Sequence, residues 1–297
     1  MMERSVFVPA YAKINLTLAV LGKREDGYHD LASVMQTISL HDTLRLTPNR
    51  SGQITARSDS PELNTPTNLA LRAALALREA AVDESLGAEI ELLKAIPSPG
   101  GLGGGSSDAA SVLLALNALW ETRLPHERLT ELAATLGSDV PYFLSSGTAL
   151  IAGRGEHVAE LPDAQPLWLV LARPPVNVST AAVYRTLSPS EYASADDSRA
   201  IAQAIKQGAP LPFDHLSNSL EAPVLRDYPE IASTRDILLA SGAPLVRMSG
   251  SGPTFYAPFG ALEDASRVYT ESGSRGLERW LCHFVSRTTC ASAVRDL

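Results

Sequence analysis

Residues Pro97 to Ser107 read PSPGGLGGGSS, and the reading of the whole chain turns on them. Five glycines fall within positions 100 to 105. Just upstream, Ala88 to Ile96 alternates with Ile90 and Leu92 on one face, which predicts a strand ended by Pro97. Downstream, from Ser106 or Ser107 to Trp120, the chain is rich in Ala and Leu and reads as a helix. A glycine bend between a strand and a helix lets the backbone come close to an anion. Its amides and the helix N-terminus then point at phosphate oxygens. A Walker A loop needs a Lys after its glycines, and none follows here. A dinucleotide fingerprint starting at Gly101 needs glycine at 106, where Ser stands. The strand-bend-helix setting argues against a flexible linker. A third kind of phosphate loop is left.

Working outward, Val6 to Leu21 reads as a strand with Ile14, Leu16, Leu18 and Val20 on one face. Its other face carries Tyr11, Lys13, Asn15 and Thr17, so a cation and an amide sit together. Gly22 to Asp30 is polar and contains the turn signal Asp26-Gly27. A second β region follows from Val34 to Leu46. Thr67 or Asn68 caps a helix running to Ala81. His126 to Leu136 reads as a helix stopped by Gly137 in the C′ position. The following Ser138-Asp139-Val140-Pro141 holds an acid in a tight turn, where a capping or Asx-turn role is the ordinary expectation.

Strands are predicted at Gly147–Gly153 and Leu167–Arg173, and the chain changes character at Pro174-Pro175. Helices follow around Thr180–Leu187, Ser198–Lys206 and Pro229–Ala240. Strands near Leu245–Met248 and Thr254–Phe259 flank Ser249-Gly-Ser-Gly252, which is either a hairpin turn or a second backbone segment approaching the same ligand. A last strand is expected near Trp280–Arg287. The mixture is α+β, with a soft boundary near residue 160 that divides the chain into residues 1–160 and 161–297.

Composition bounds the function. The chain has 297 residues, 45% apolar and 20% charged, and a net charge of −8. An acidic chain is a poor general binder of nucleic acid. No apolar run reaches the roughly 18 residues of a membrane span. Lys13 and Asn15 interrupt the N-terminal apolar segment, against a signal peptide. Cys282 and Cys290 lack CxxC spacing, the six histidines lack any metal-binding pattern, and no GxSxG elbow is present. The expectation is a cytoplasmic protein, monomer or homodimer, that binds small molecules and neither nucleic acid nor membrane. Any metal ligands stay undetermined. The glycine bend, a cation and an acid together permit phosphoryl transfer.

Three segments taken together resemble the motifs of the GHMP kinases, the superfamily of galactokinase and of homoserine, mevalonate and phosphomevalonate kinases. Pro97–Asp108 is similar to the second motif. Ala12–Leu16 (AKINL) with Asp26–His29 (DGYH) is similar to the first motif, and Met248–Phe255 (MSGSGPTF) to the third. Leu136–Tyr142 and Gly147–Glu156 fit as well. AKINL and DGYH resemble the branch whose substrate is 4-diphosphocytidyl-2-C-methyl-D-erythritol, a cytidyl-diphosphate sugar alcohol of the non-mevalonate isoprenoid pathway.

The resemblance implies a two-domain α+β GHMP kinase fold. Its N-terminal half would be ribosomal protein S5 domain 2-like and its C-terminal half ferredoxin-like, with the active site in the cleft between them. It implies ATP and Mg²⁺ as cofactors and phosphorylation of the 2-hydroxyl of that alcohol. Lys13 and Asp139 would be catalytic. Pro97, Ser98, Pro99, Gly100, Gly101, Leu102, Gly103, Gly104, Gly105, Ser106 and Ser107 would wrap the phosphates of ATP, with Asn68 and Lys94 beside the adenosine. Asn15, Tyr28, His29 and Tyr184 would hold the substrate. Pro99 departs from the family pattern and removes one amide donor from the bend. Another GHMP small-molecule kinase, or a non-catalytic binding protein of the same fold, is the alternative.

Overall fold

The computed structural model describes residues 5–273 and 276–295. Two sheets organise it. The first is built around two long antiparallel strands, β1 (Val6–Lys23) and β2 (His29–Asn49), joined by the polar turn at Asp26-Gly27. β3 (Ile54–Ser58) and β4 (Gly87–Leu93) extend it beside the second half of β2, while β5 (Thr148–Gly153) and β6 (His157–Glu160) extend it beside the first half. The second sheet has four strands in the order β11-β7-β10-β9. They are β7 (Trp168–Arg173), β9 (Arg247–Met248), β10 (Phe255–Phe259) and β11 (Glu278–His283). β8 (Ser217–Asn218) crosses back and pairs parallel with β1 at Thr17 and Leu18.

Helices cover these sheets. α1 (Leu69–Ala81) and α2 (Gly104–Leu119) meet through Ala70, Ala73, Ala74, Ala109, Ala110 and Ala115, whose small side chains allow close approach. α3 (His126–Leu136) and α4 (Val140–Ser145) complete that layer. α5 (Thr180–Thr186), α6 (Asp196–Lys206), α7 (Glu221–Asp227), α8 (Ala232–Ala240), α9 (Leu262–Glu271) and α10 (Arg287–Arg295) follow in chain order. Leu238, Ala265 and Val268 from α8 and α9 pack on Val170, Phe255 and Ala257 of the second sheet. Ile14 and Leu16 of β1 share a further core with Leu169, Leu171 and Tyr256. Both faces of β1 are therefore covered in its middle, and Lys13 and Asn15 are buried rather than solvated.

The structure revises several expectations. α2 starts at Gly104, before Ser106. Gly137 has φ 174°, which is extended backbone and not a left-handed C′. The turn after it continues as α4, since Pro141 is well suited to a first helical turn. The final strand ends at His283 and is followed by α10, where strand had been expected to run on to Arg287. β3, β6 and α9 were not foreseen, because they are short or strongly polar on their outer faces.

Candidate active site

Lys13 lies on a stretch of β1 bounded by register shifts at Tyr11/Ala12 and Asn15/Thr17. Such irregularities bend a strand and re-aim its side chains. The Lys13 amide donates to the Leu102 carbonyl at 3.0 Å, fastening the glycine bend to the strand. Lys13 is 3% exposed, and its ammonium donates to Asn15 Oδ1 at 2.7 Å. The Asn15 amide donates to Ser33 Oγ at 2.8 Å, which sets the orientation of the carboxamide. Asp139 approaches from the start of α4, with Oδ2 at 3.7 Å from Lys13 Nζ. It occupies the N-cap position but makes no capping bond with its side chain. The ordinary capping role therefore does not apply, and the carboxylate faces the cation. Burial pulls the Lys13 ammonium below its usual range, and the Asp139 charge offsets only part of that.

The bend itself depends on glycine at two places. Gly101 and Gly103 have φ of 72° and 74°, in the left-handed region. A Cβ on Gly103 would lie 2.8 Å from the Phe143 ring, and one on Gly101 would lie 2.2 Å from the Ser249 carbonyl oxygen. The bend leads into the first turn of α2, whose amides have no partner within the helix and carry the positive end of its dipole. The turn between β9 and β10 packs against the bend, and Ser249 Oγ donates to the Gly101 carbonyl at 3.0 Å. Asn218 Nδ2 donates to the Met248 and Gly250 carbonyls at 2.8 Å each and so ties that turn to β1 through β8. A Cβ on Gly250 would lie 3.3 Å from Lys13 Nζ.

These segments enclose a cavity of about 810 Å³, within the range of small-molecule sites. The glycine bend lines it, as do Tyr28, His29 and Tyr184. The His29 and Tyr184 rings are 5.4 Å apart, and the Arg154 guanidinium sits 5.0 Å over the Tyr28 ring. Burial, with help from the Lys23 charge, lowers His29 and keeps it neutral at physiological pH.

Lys13, Asn15, Tyr28, His29, Tyr184 and Asp139 all line the cavity, as do Pro97–Gly101 and Gly103–Ser106. Four other expected site residues do not. Leu102 points into the core. Ser107 is buried and donates to the Tyr11 carbonyl at 2.6 Å. Asn68 caps α1, accepting from the Ala70 amide at 2.9 Å and donating to the Leu63 carbonyl at 3.0 Å. The Lys94 ammonium is held between the buried carboxylates of Asp42 and Asp108. Asn68 and Lys94, expected beside an adenosine, thus have their polar groups engaged by the protein. Lys23, Arg154, Thr180, Arg185 and Ser251 also line the cavity and were not named as site residues from sequence. Arg154 and Ser251 fall inside segments that resemble the family's motifs, while nothing in the local sequence distinguishes the other three.

The GHMP kinase N-terminal domain model matches residues 68–147, and the GHMP kinase C-terminal model matches residues 196–275. The 4-diphosphocytidyl-2-C-methyl-D-erythritol kinase of Pelotomaculum thermopropionicum is 48% identical over 87% of this chain and 91% of its own length. This chain belongs to the same family of GHMP kinases. The corresponding kinase of Exiguobacterium sibiricum is 43% identical, over 92% of this chain and 94% of its own. A crystal structure of 4-(cytidine 5′-diphospho)-2C-methyl-D-erythritol kinase superposes with a TM-score of 0.81 at 37% identity, covering 94% of this kinase and 99% of that chain. Homoserine kinase from Cytophaga hutchinsonii gives a TM-score of 0.74 at 18% identity, which shows the shared GHMP fold. No helix among the described residues of this kinase is long and apolar enough to cross a membrane.

Proposed function

We propose that this kinase transfers the γ-phosphoryl group of ATP to the 2-hydroxyl of 4-diphosphocytidyl-2-C-methyl-D-erythritol, in the cytoplasm. The observation that carries the reading is the Lys13–Asp139 pair, 3.7 Å apart, in one cavity that the glycine bend and the Tyr28, His29 and Tyr184 rings also line. The bend and the first turn of α2 bind the phosphates of ATP through main-chain amides. Tyr28 and Tyr184 stack on the cytosine, and neutral His29 offers one donor and one acceptor to its edge. Asn15 positions the sugar alcohol beside Lys13.

Phosphoryl transfer passes through a loose transition state and does not require early loss of the hydroxyl proton. Asp139 therefore acts first by orienting the hydroxyl in line with the γ-phosphate, and takes its proton late. Lys13 neutralises charge developing on the transferred group. No cluster of three His, Cys, Asp or Glu among the described residues forms a metal cage. Mg²⁺ is commonly held by substrate phosphates, water and one or two protein oxygens. The Ser106 hydroxyl and Asp139 carboxylate line the cavity and suit that mode. When bound, the ion neutralises phosphate charge.

A coupled ADP-release assay tests the assignment with the cytidyl-diphosphate alcohol against galactose, mevalonate and homoserine. Turnover is expected with the first only. Preference for any other alcohol would overturn the substrate assignment.

A further inference from the structure

The bend that binds phosphate in the reading above is anchored at both ends by a buried charge triad. Asp42, on β2, accepts from the Ala95 and Ile96 amides through Oδ1, at 2.6 and 2.8 Å. These are the last two residues before Pro97. Asp42 Oδ2 accepts from the Lys94 ammonium, which also donates to Asp108 Oδ2 at 2.6 Å. Asp108 lies on α2, one residue past Ser107. All three side chains are nearly inaccessible, at 0%, 6% and 4% exposure for Asp42, Lys94 and Asp108. The first turn of α2 rests on the triad, since a Cβ on Gly104 would lie 3.5 Å from Asp42 Oδ2 and 3.0 Å from the Ile96 side chain.

We infer that Asp42, Lys94 and Asp108 are positioning residues for the nucleotide: they set the geometry of the phosphate-binding bend without touching ATP. A core needs no such group for stability, because a buried ion triad is commonly no better than an apolar replacement. What it supplies is directionality. Charge-assisted hydrogen bonds hold their partners in narrow geometries, and here the partners are the entry and exit of the bend. The bend's own glycines have little preference for one conformation. Asp108 Oδ1 has no partner among the described residues, where its carboxyl is held on one side, by Lys94.

This inference rests on the phosphate role proposed for the bend. Its test is the double variant Lys94→Met with Asp108→Asn, assayed above the pH range in which Asp108 titrates. The exchange removes one buried cation and one buried anion, so the net buried charge is unchanged, and the Asp42 carboxylate that remains keeps its two backbone amide donors. Binding of ATP and of adenosine is measured separately by calorimetry, with thermal melting as a check. ATP affinity should fall at least about tenfold, which is about 1.4 kcal/mol, while adenosine affinity changes less than about twofold. Equal losses for both ligands would overturn the inference by putting Lys94 on the nucleoside. Unchanged ATP affinity would overturn it by showing that the bend holds its shape unaided. If the double variant does not fold, Asp108→Asn alone is assayed under the same criteria. Gly101→Ala, which strains the bend directly, separates the two levels. If it leaves ATP affinity intact, the phosphate role of the bend fails. If it weakens ATP while the double variant does not, only the triad's role fails.

Discussion

Asp139→Asn isolates the step that distinguishes a kinase from a nucleotide-binding protein. The substitution keeps size, exchanges one acceptor oxygen for an amide donor and removes one charge. At 3.7 Å the lost attraction to Lys13 is at most roughly 4.5 kcal/mol at an effective dielectric of 20. Solvent reduces it, because the Asp139 side chain is 32% exposed. A positioned proton acceptor contributes about 10²- to 10⁴-fold to rate. The expected fall in kcat is therefore about 10²-fold or more. ATP affinity should hold, since the bend and α2 are untouched. Melting should hold too, because this side chain makes no capping bond to α4. A second signature follows from Lys13. Burial already lowers its ammonium, and Asp139 opposes that shift. Without the carboxylate the ammonium loses its proton more readily, so the residual activity should fade at lower pH than in the wild type. Coupled ADP release across pH, with calorimetric ATP binding, measures both effects. A kcat within about tenfold of wild type, below the range expected for a positioned base, would refute the role given to Asp139. So would a loss of ATP affinity as large as the loss of kcat.

Three further outcomes follow. Tyr28→Ala should raise KM for the cytidyl substrate by about tenfold, since a base–aromatic stack is worth about 1–3 kcal/mol, and leave KM for ATP unchanged; equal effects on both would displace Tyr28 from the nucleobase. Asn68→Ala should lower stability by about 1 kcal/mol through loss of the α1 cap and leave KM for ATP alone, and a selective rise in KM would restore an adenosine role. Asp108 gives a pH signature of unusual sign. Burial, with the Asp42 charge added, outweighs Lys94 and raises its carboxyl to about 7. The folded chain then keeps a proton that the unfolded chain releases above about 4, so this contribution to stability is full at low pH and is lost as pH rises toward 7. Asp108→Asn should flatten that decline in urea melts, and an unchanged slope would refute the assignment.

The elements readable in the sequence were those whose physics is local. The β1 face that alternates Ile14, Leu16, Leu18 and Val20 became a strand almost to the residue. α3 also fell where its periodicity placed it. Boundaries failed where a tertiary partner decides them. α2 begins at Gly104 because the first turn packs against Ile96 and Asp42, and no helix propensity foretells a glycine start. β8 is two residues long and exists only because β1 lies beside it. Periodicity has nothing to act on in so short a segment.

The site divides along the same line. A bend that requires glycine advertises itself, and a Lys–Asn pair on an otherwise apolar strand is anomalous enough to notice. Asp139 was visible only as an acid in a turn, and the residue that makes it chemically active stands at the far end of the domain sequence. Asp42 and Asn218 carry no local anomaly at all. Each is one polar residue within a strand, and each acquires its meaning from backbone amides or carbonyls delivered by a distant segment: Ala95 and Ile96 for Asp42, Met248 and Gly250 for Asn218. Burial turns these into demanding contacts, because a buried polar group without its partner costs about 1–3 kcal/mol. The groups that shape the cavity are therefore constrained as strongly as those that line it. The lining residues announce chemistry by their type, whereas the shaping residues do so only through geometry.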